Sequence, residues 1–161
     1  MFSRVKANAL LLASLLLAST AATAAPVAAS FKSVLNVTSV IPGSANCSTG
    51  SMSLSVSGSG LDTFGPFTFT ESVCARSATF QFTGSFRVVH SSADVFFGNF
   101  NGTFIPSGGI LEVHSTWRIS GGKGQFAQLT GAGTGKGLGT VVNGGPGPAK
   151  IFLDGSIFGA P

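Results

Sequence analysis

The chain has 161 residues, nine basic and five acidic side chains, a formal net charge of +4, and a composition that is 43% hydrophobic but only 9% charged. That is enough chain for one domain with a single core and too little for two ordinary ones. The few charges are scattered, which excludes a nucleic-acid surface, since that would need grouped Lys and Arg interleaved with exposed aromatics.

Met1 to Ala24 reads as an export segment. Arg4 and Lys6 give a positive start, Leu10 to Ala18 is an apolar run too short to span a bilayer comfortably, and Ala22-Thr23-Ala24 offers a small-x-small cleavage site. The alternative, an uncleaved anchor, fits the run's length and flanks less well. No cysteine stands near the cut, so a lipoprotein is excluded. Cleavage leaves Lys32, Arg76, Arg87, Arg118, Lys123, Lys136 and Lys150 against five acids, a net charge of about +2. The Leu- and Ala-rich signal looks bacterial and implies a secreted or periplasmic protein with no stable membrane span once it is removed. On this reading the sequons at Asn36, Asn46 and Asn101 carry no weight. The mature chain is one domain over 25–161, with an N-terminal segment and first strand in 25–48 and a β-barrel domain in 49–161.

Fifteen Phe, no Tyr, one Trp and 23 Gly, with abundant Ser, Thr and Val, form an all-β composition. Period-two alternation supports it along the chain. Met52 to Val56 and Phe67 to Thr70 are short examples. In Ala78 to His90, Phe80, Phe82, Phe86 and Val88 share one face with Gly84. In Ala93 to Phe104, Phe96, Phe100 and Phe104 share a face. Gly109 to Ser120 sets Leu111, Val113, Trp117 and Ile119 against Glu112, His114, Thr116 and Arg118, and Lys150 to Phe158 sets Ile151, Leu153 and Ile157 against Phe152, Asp154 and Phe158. The links are short: Ser91-Ser92, Pro106 to Gly109, and Asn143 to Pro148. No segment after Ala24 has a 3.6-residue period. The pattern predicts an antiparallel meander of about eight strands closed into a barrel. Cys47 and Cys74, an even pair in an exported chain, are most simply a disulfide. With only His90 and His114 to help them, they do not make a metal site, and no cofactor is implied.

The stretch ISGGKGQFAQLTGAGTGKG, Ile119 to Gly137, contains two near-matches to nucleotide loops. Gly122 to Ala127 fits a loose G-x-G-x-x-A spacing, but no helix start follows it and no acid comes before Asp154. Gly135-Lys136 ends like a phosphate loop, but Thr130 and Gly137 stand where Gly and Ser or Thr are required. Neither is a nucleotide site.

The same stretch resembles the Gly-Gly-Thr-Gly-(Lys/Arg)-Phe segment of dirigent proteins and of secreted bacterial proteins with an allene oxide cyclase-like barrel. Gly58-Ser59-Gly60, Phe64 to Thr68, Phe82 to Phe86, Asp94, Gly98 to Phe104 and Phe152 to Ile157 stand around it in that order, so the likeness runs from about Ser53 to Phe158. Lys123 replaces the usual Thr, as a surface change. The resemblance implies an eight-stranded antiparallel barrel with a central cavity, of the kind that handles apolar, reactive small molecules. It also implies a tendency to form homo-oligomers. Physically, Gly121, Gly122 and Gly124 make a corner, Phe126 and Leu129 plug the barrel end, and Gly131 and Gly133 let the next strand coil.

Two functional readings stay open. Non-catalytic binding of a small hydrophobic molecule, or a structural role, needs only a Phe-lined interior, with Phe82, Phe100, Trp117 and Phe126 as candidate contacts. A cyclase-like or dirigent-like reaction in the cavity needs polar groups there, and the best set is Glu112, His114 and Arg118 on one strand face. That set serves only if its face points inward. With large apolar residues opposite, an outward, solvated face is the simpler expectation. His90 and Asp94, across Ser91-Ser92, form a second candidate pair that Arg87 and Asp154 could join. There is no G-x-S-x-G elbow and no zinc motif.

Overall fold

The structure, a computed structural model, describes residues 28–161, so the stretch read as an export segment, Met1 to Ala24, lies outside the described residues. Eight strands follow one another: β1 (Ala29–Pro42), β2 (Ser51–Asp62), β3 (Gly65–Arg76), β4 (Gln81–Val89), β5 (Val95–Ser107), β6 (Ile110–Lys123), β7 (Thr130–Val142) and β8 (Gly145–Phe158), with a 3-10 turn at Gly124–Phe126 before β7. Each strand pairs antiparallel with its sequence neighbour and β8 pairs back onto β1, so the sheet closes and leaves no free edge. β1 is a full stave, so the barrel begins at Ala29 and not after residue 48.

Alternation decides what is inside. Phe31, Leu35, Leu54, Val56, Phe67, Phe69, Val73, Phe82, Val88, Phe96, Val113, Trp117, Ile119 and Ile157 are buried within the barrel, while the intervening Ser, Thr and charged residues face out. Twelve large hydrophobic residues are exposed exceptions, Ile41, Leu61, Leu138 and Phe152 the most so. Apolar inside and mostly polar outside is the reverse of a lipid-facing barrel. Among the described residues, no helix is long and apolar enough to cross a membrane.

The phenylalanines fit because glycines face them. Gly58, Gly60, Gly84, Gly98 and Gly102 stand directly across from Phe69, Phe67, Phe100, Phe86 and Phe82, and each ring lies where a glycine's Cβ would project. On β7, Gly131, Gly133, Gly135, Gly137 and Gly139 present a bare strip to the interior. The Trp117 indole lies over Gly133 and Gly155, with its ring atoms 2.5 Å from where Cβ atoms would sit. The glycines of both nucleotide-like matches therefore serve packing and turning. Gly122 is hemmed in by Phe126 and Val95, and Gly124 turns the chain at a φ of +64°. Gly121 and Gly122 have no positive φ, so Gly124 alone supplies the left-handed step of that corner.

Turns are tighter than the sequence suggests. Asn143 and Gly144, with φ of 50° and 77°, form a two-residue hairpin loop, and the Gly-Pro run from Gly145 belongs to β8. Pro146 and Pro148 are tolerated there because β8 pairs with β1 only from Ala149 onward and so has no second ladder to donate to. Phe80 is a turn residue at positive φ, 45% exposed, and does not share the inward face of Phe82 and Phe86.

Cys47 and Cys74 form a disulfide that ties the β1–β2 loop to β3 across 27 residues of chain. Closing a loop of that length restricts the unfolded chain, so Cys47→Ser with Cys74→Ser is expected to cost about 3 kcal/mol in a urea titration. An unchanged midpoint would show that the ladder alone holds the loop. Gly98→Ala should cost about 1–3 kcal/mol, because its Cβ would overlap the Arg118 carbonyl and the Phe86 ring. A thermal melt equal to that of the native chain would contradict the packing described.

Candidate functional site

One end of the barrel is sealed. Phe126 and Leu129, both 0% exposed, fold under the corner between β6 and β7, and Phe126 packs against Phe64, His90 and Phe96 at ring-centroid distances of 5.0, 5.1 and 5.4 Å. Lys123, the departure from the glycine-rich pattern, is exposed beside this plug. Asp94 accepts the Gln125 N–H at 3.0 Å and the Ser91 hydroxyl at 2.9 Å, pinning the turn from outside. The Gln125 N–H, then Ser91, hold its carboxyl below the usual carboxylate range.

Above the plug the interior is a cavity of about 110 Å³. Phe31, Trp117 and Ile119 lie toward its floor, and Phe69, Phe82, Phe86, Phe100 and Phe104 are in its wall. Val40, Pro146 and Gly147 line it at the far end, where β1 and β8 have stopped pairing beyond Val37 and Ala149, so this notch is its entrance. The space is of the same order as the roughly 150 Å³ apolar hole that admits benzene in a well-studied protein core. It exists because glycine occupies so many inward positions: the strip on β7 leaves one wall without side chains.

Four polar residues reach this lining: Ser33, Asp62, Glu71 and Ser115. Ser33 and Asp62 are direct partners on β1 and β2. Ser33 is 4% exposed and its Oγ has no hydrogen-bond partner among the described residues. Asp62 accepts the Phe64 N–H at 2.8 Å and meets His90 Nε2 at 3.2 Å. Burial raises its pKa, and Phe64 and His90 offset part of that rise. Glu71 is different. It stands on β3 between Val56 and Phe86, its residual accessibility is to the cavity, and no described group hydrogen-bonds its carboxyl. Desolvation alone pushes its pKa up to about 7.

The sequence candidates divide between the two faces. Phe82, Phe100 and Trp117 line the cavity. Trp117 Nε1 donates to the Thr134 carbonyl at 3.0 Å, which fixes the indole against the bare β7 strip. Phe126 belongs to the plug and not to the cavity wall. Glu112, His114 and Arg118 lie on the outer face of β6, because Leu111, Val113, Trp117 and Ile119 take the inside. Glu112 and His114 are within 3.5 Å of each other and nearly half exposed, so the trio takes no part in the cavity. His90 does not pair with Asp94: the ring turns inward to Asp62, and Arg87 and Asp154 are exposed on the outer surface. Glu71 escaped the sequence reading although a signal existed. It continues the parity of Phe67 and Phe69, with Val73 and Ala75 beyond it, so the period of two already assigned it to the buried face.

Among the described residues no cluster of three or more His, Cys, Asp or Glu could hold a metal ion. Comparison with protein-family models, with curated proteins and with solved structures finds no match to this chain.

The carboxyl at Glu71 has a stability consequence with a definite sign. Its pKa near 7 in the folded chain lies above the ordinary 4.5, so the folded state holds the proton more tightly, and stability falls as pH rises from about 4.5 through about 7. Glu71→Gln removes that penalty. It is expected to be about 3 kcal/mol more stable than the native chain at pH 8 and nearly equal to it at pH 4, by urea denaturation. Parallel pH profiles for the two proteins would refute the buried, unpaired state of this carboxyl.

Proposed function

We propose that this protein is a secreted or periplasmic member of the allene oxide cyclase-like, dirigent-like barrels that binds a small hydrophobic molecule in its interior without transforming it. The observation that carries the binding reading is the cavity: an apolar space closed at one end by Phe126 and Leu129 and entered at the other past Val40 and Pro146. The closed eight-stranded antiparallel meander with its central cavity supports the family reading, because that is what the resemblance implies. Export is supported by the Cys47–Cys74 disulfide, which persists in oxidising compartments.

The non-catalytic form is preferred because the one acid–base constellation of the strand faces, Glu112 with His114 and Arg118, is turned to solvent. The cavity lining offers two carboxyls, Glu71 without a partner and Asp62 engaged by His90 and the Phe64 N–H, and two serines, Ser33 and Ser115, neither of them hydrogen-bonded to a base.

Trp117, the sole tryptophan, lies in the cavity wall and reports on occupancy. Titration with toluene is expected to change its emission saturably. Ligand at ten times its Kd should raise the melting temperature by about 3–5 °C. Val40→Phe, placed at the entrance, should weaken this binding at least tenfold without lowering the melting temperature of the free protein. Absence of any saturable response in the native chain would leave the barrel a structural element and overturn the proposal.

A further inference from the structure

The interior is not chemically neutral. Its lining includes two carboxyl groups and no Lys or Arg, so it offers no cationic partner to a carboxylate or phosphate ligand. Asp62 is already engaged by His90 and the Phe64 N–H at the plugged end. Glu71 is free: it is half-buried on the inward face of β3, without a hydrogen-bond partner among the described residues, and it lines the space a ligand would occupy. Its direct cross-strand partner is Phe86, whose ring stacks with that of Phe100 at 6.5 Å, and Phe69 and Phe82 stand in the same wall. A carboxyl beside several aromatic rings is the set of acceptors that recognises an ammonium group, through its charge on one side and ring faces on the other.

Resting on the cavity-binding reading above, we infer that the ligand is a small hydrophobic amine, bound as its ammonium ion with the charge at Glu71 and Phe86 and the apolar tail along Trp117 and Phe31. A neutral hydrocarbon would leave the Glu71 carboxyl as unpaired as it is in the empty barrel. An ammonium satisfies it and makes the carboxylate the favoured form. Binding below the pKa of Glu71 therefore releases one proton, from the carboxyl to solvent, as the alkylammonium takes its place. The neighbouring strands contribute no competing charge at that level: Val56 faces Glu71 from β2 and Phe86 from β4, and Arg87 and Arg76 point outward. The other titratable groups of the interior, Asp62 and His90, sit together at the plugged end.

The test compares three probes of one shape on the full mature chain, benzylamine, toluene and benzoate, by calorimetry and Trp117 emission. At pH 8 benzylamine is expected to bind at least tenfold tighter than toluene, and benzoate not at all. Between pH 8 and pH 5 benzylamine should weaken tenfold or more while toluene holds constant, and near pH 6 its binding heat should vary with the buffer in the sense of proton release. Glu71→Gln should keep toluene binding and lose both the amine preference and its pH dependence. Asp62→Asn should keep the preference. If benzylamine binds no tighter than toluene, or the preference survives Glu71→Gln or vanishes with Asp62→Asn, the inference is overturned while the cavity-binding reading stands. If no probe binds, both fail.

Discussion

The packing of phenylalanine rings over glycines inside a closed sheet is the constraint on which the rest of this molecule depends. A barrel of eight strands has an interior barely wide enough for its own side chains. Here many inward positions carry aromatic rings, which is compatible with closure only because Gly58, Gly60, Gly84, Gly98 and Gly102 stand opposite them and β7 contributes no inward side chain along Gly131 to Gly139. Large and bare positions alternate around the wall. The rings gain their packing from the neighbouring strand, and the centre is left partly empty.

That partial emptiness is concentrated rather than spread. The floor is dense: Phe31, Phe64, Phe96, Phe126 and His90 interlock, and Asp62 ties the histidine to the β2–β3 turn. The mouth is loose, because β1 and β8 part company after Val37 and Ala149 and the prolines of β8 prevent the ladder from extending. A molecule entering there would meet Glu71 in mid-barrel before it reached Trp117. Placing an unpaired carboxyl in such surroundings opposes folding at neutral pH, and stability alone gives no reason to retain it. The proposed amine binding would supply one, since an inward acid with no internal partner leaves its bonding capacity to whatever occupies the cavity.

How much of the site could be read from the sequence depended on whether its residues shared a local pattern. Phe82, Phe100 and Trp117 were legible because each sits in a clear alternation with apolar neighbours two positions away. Phe126 was read correctly as a plug, and for that same reason it is not a cavity contact. Glu112, His114 and Arg118 attracted attention as a set of chemical types on one face, yet the bulk of Leu111, Val113, Trp117 and Ile119 had already consigned that face to solvent. His90 seemed paired with Asp94 by nearness along the chain. Across the barrel end Asp62, 28 residues away, offered a buried partner, while the Asp94 carboxylate accepts the Gln125 N–H of the β6–β7 turn and the Ser91 hydroxyl.

By itself the sequence determined the all-β class, the inside and outside of most strands, and the glycine corner with its plug, because each follows from a period of two or from the special conformations and small volume of glycine, and it determined the disulfide because Cys47 and Cys74 are the chain's two cysteines. It did not determine which inward residues would meet. Glu71 beside Phe86, Ser33 beside Asp62, and the notch between β1 and β8 are products of cross-strand register and of closure. Those depend on the whole ring of eight strands finding a common fit, and only the tertiary structure decided that a carboxyl in phase with Phe67 and Phe69 would stand alone in an aromatic cavity.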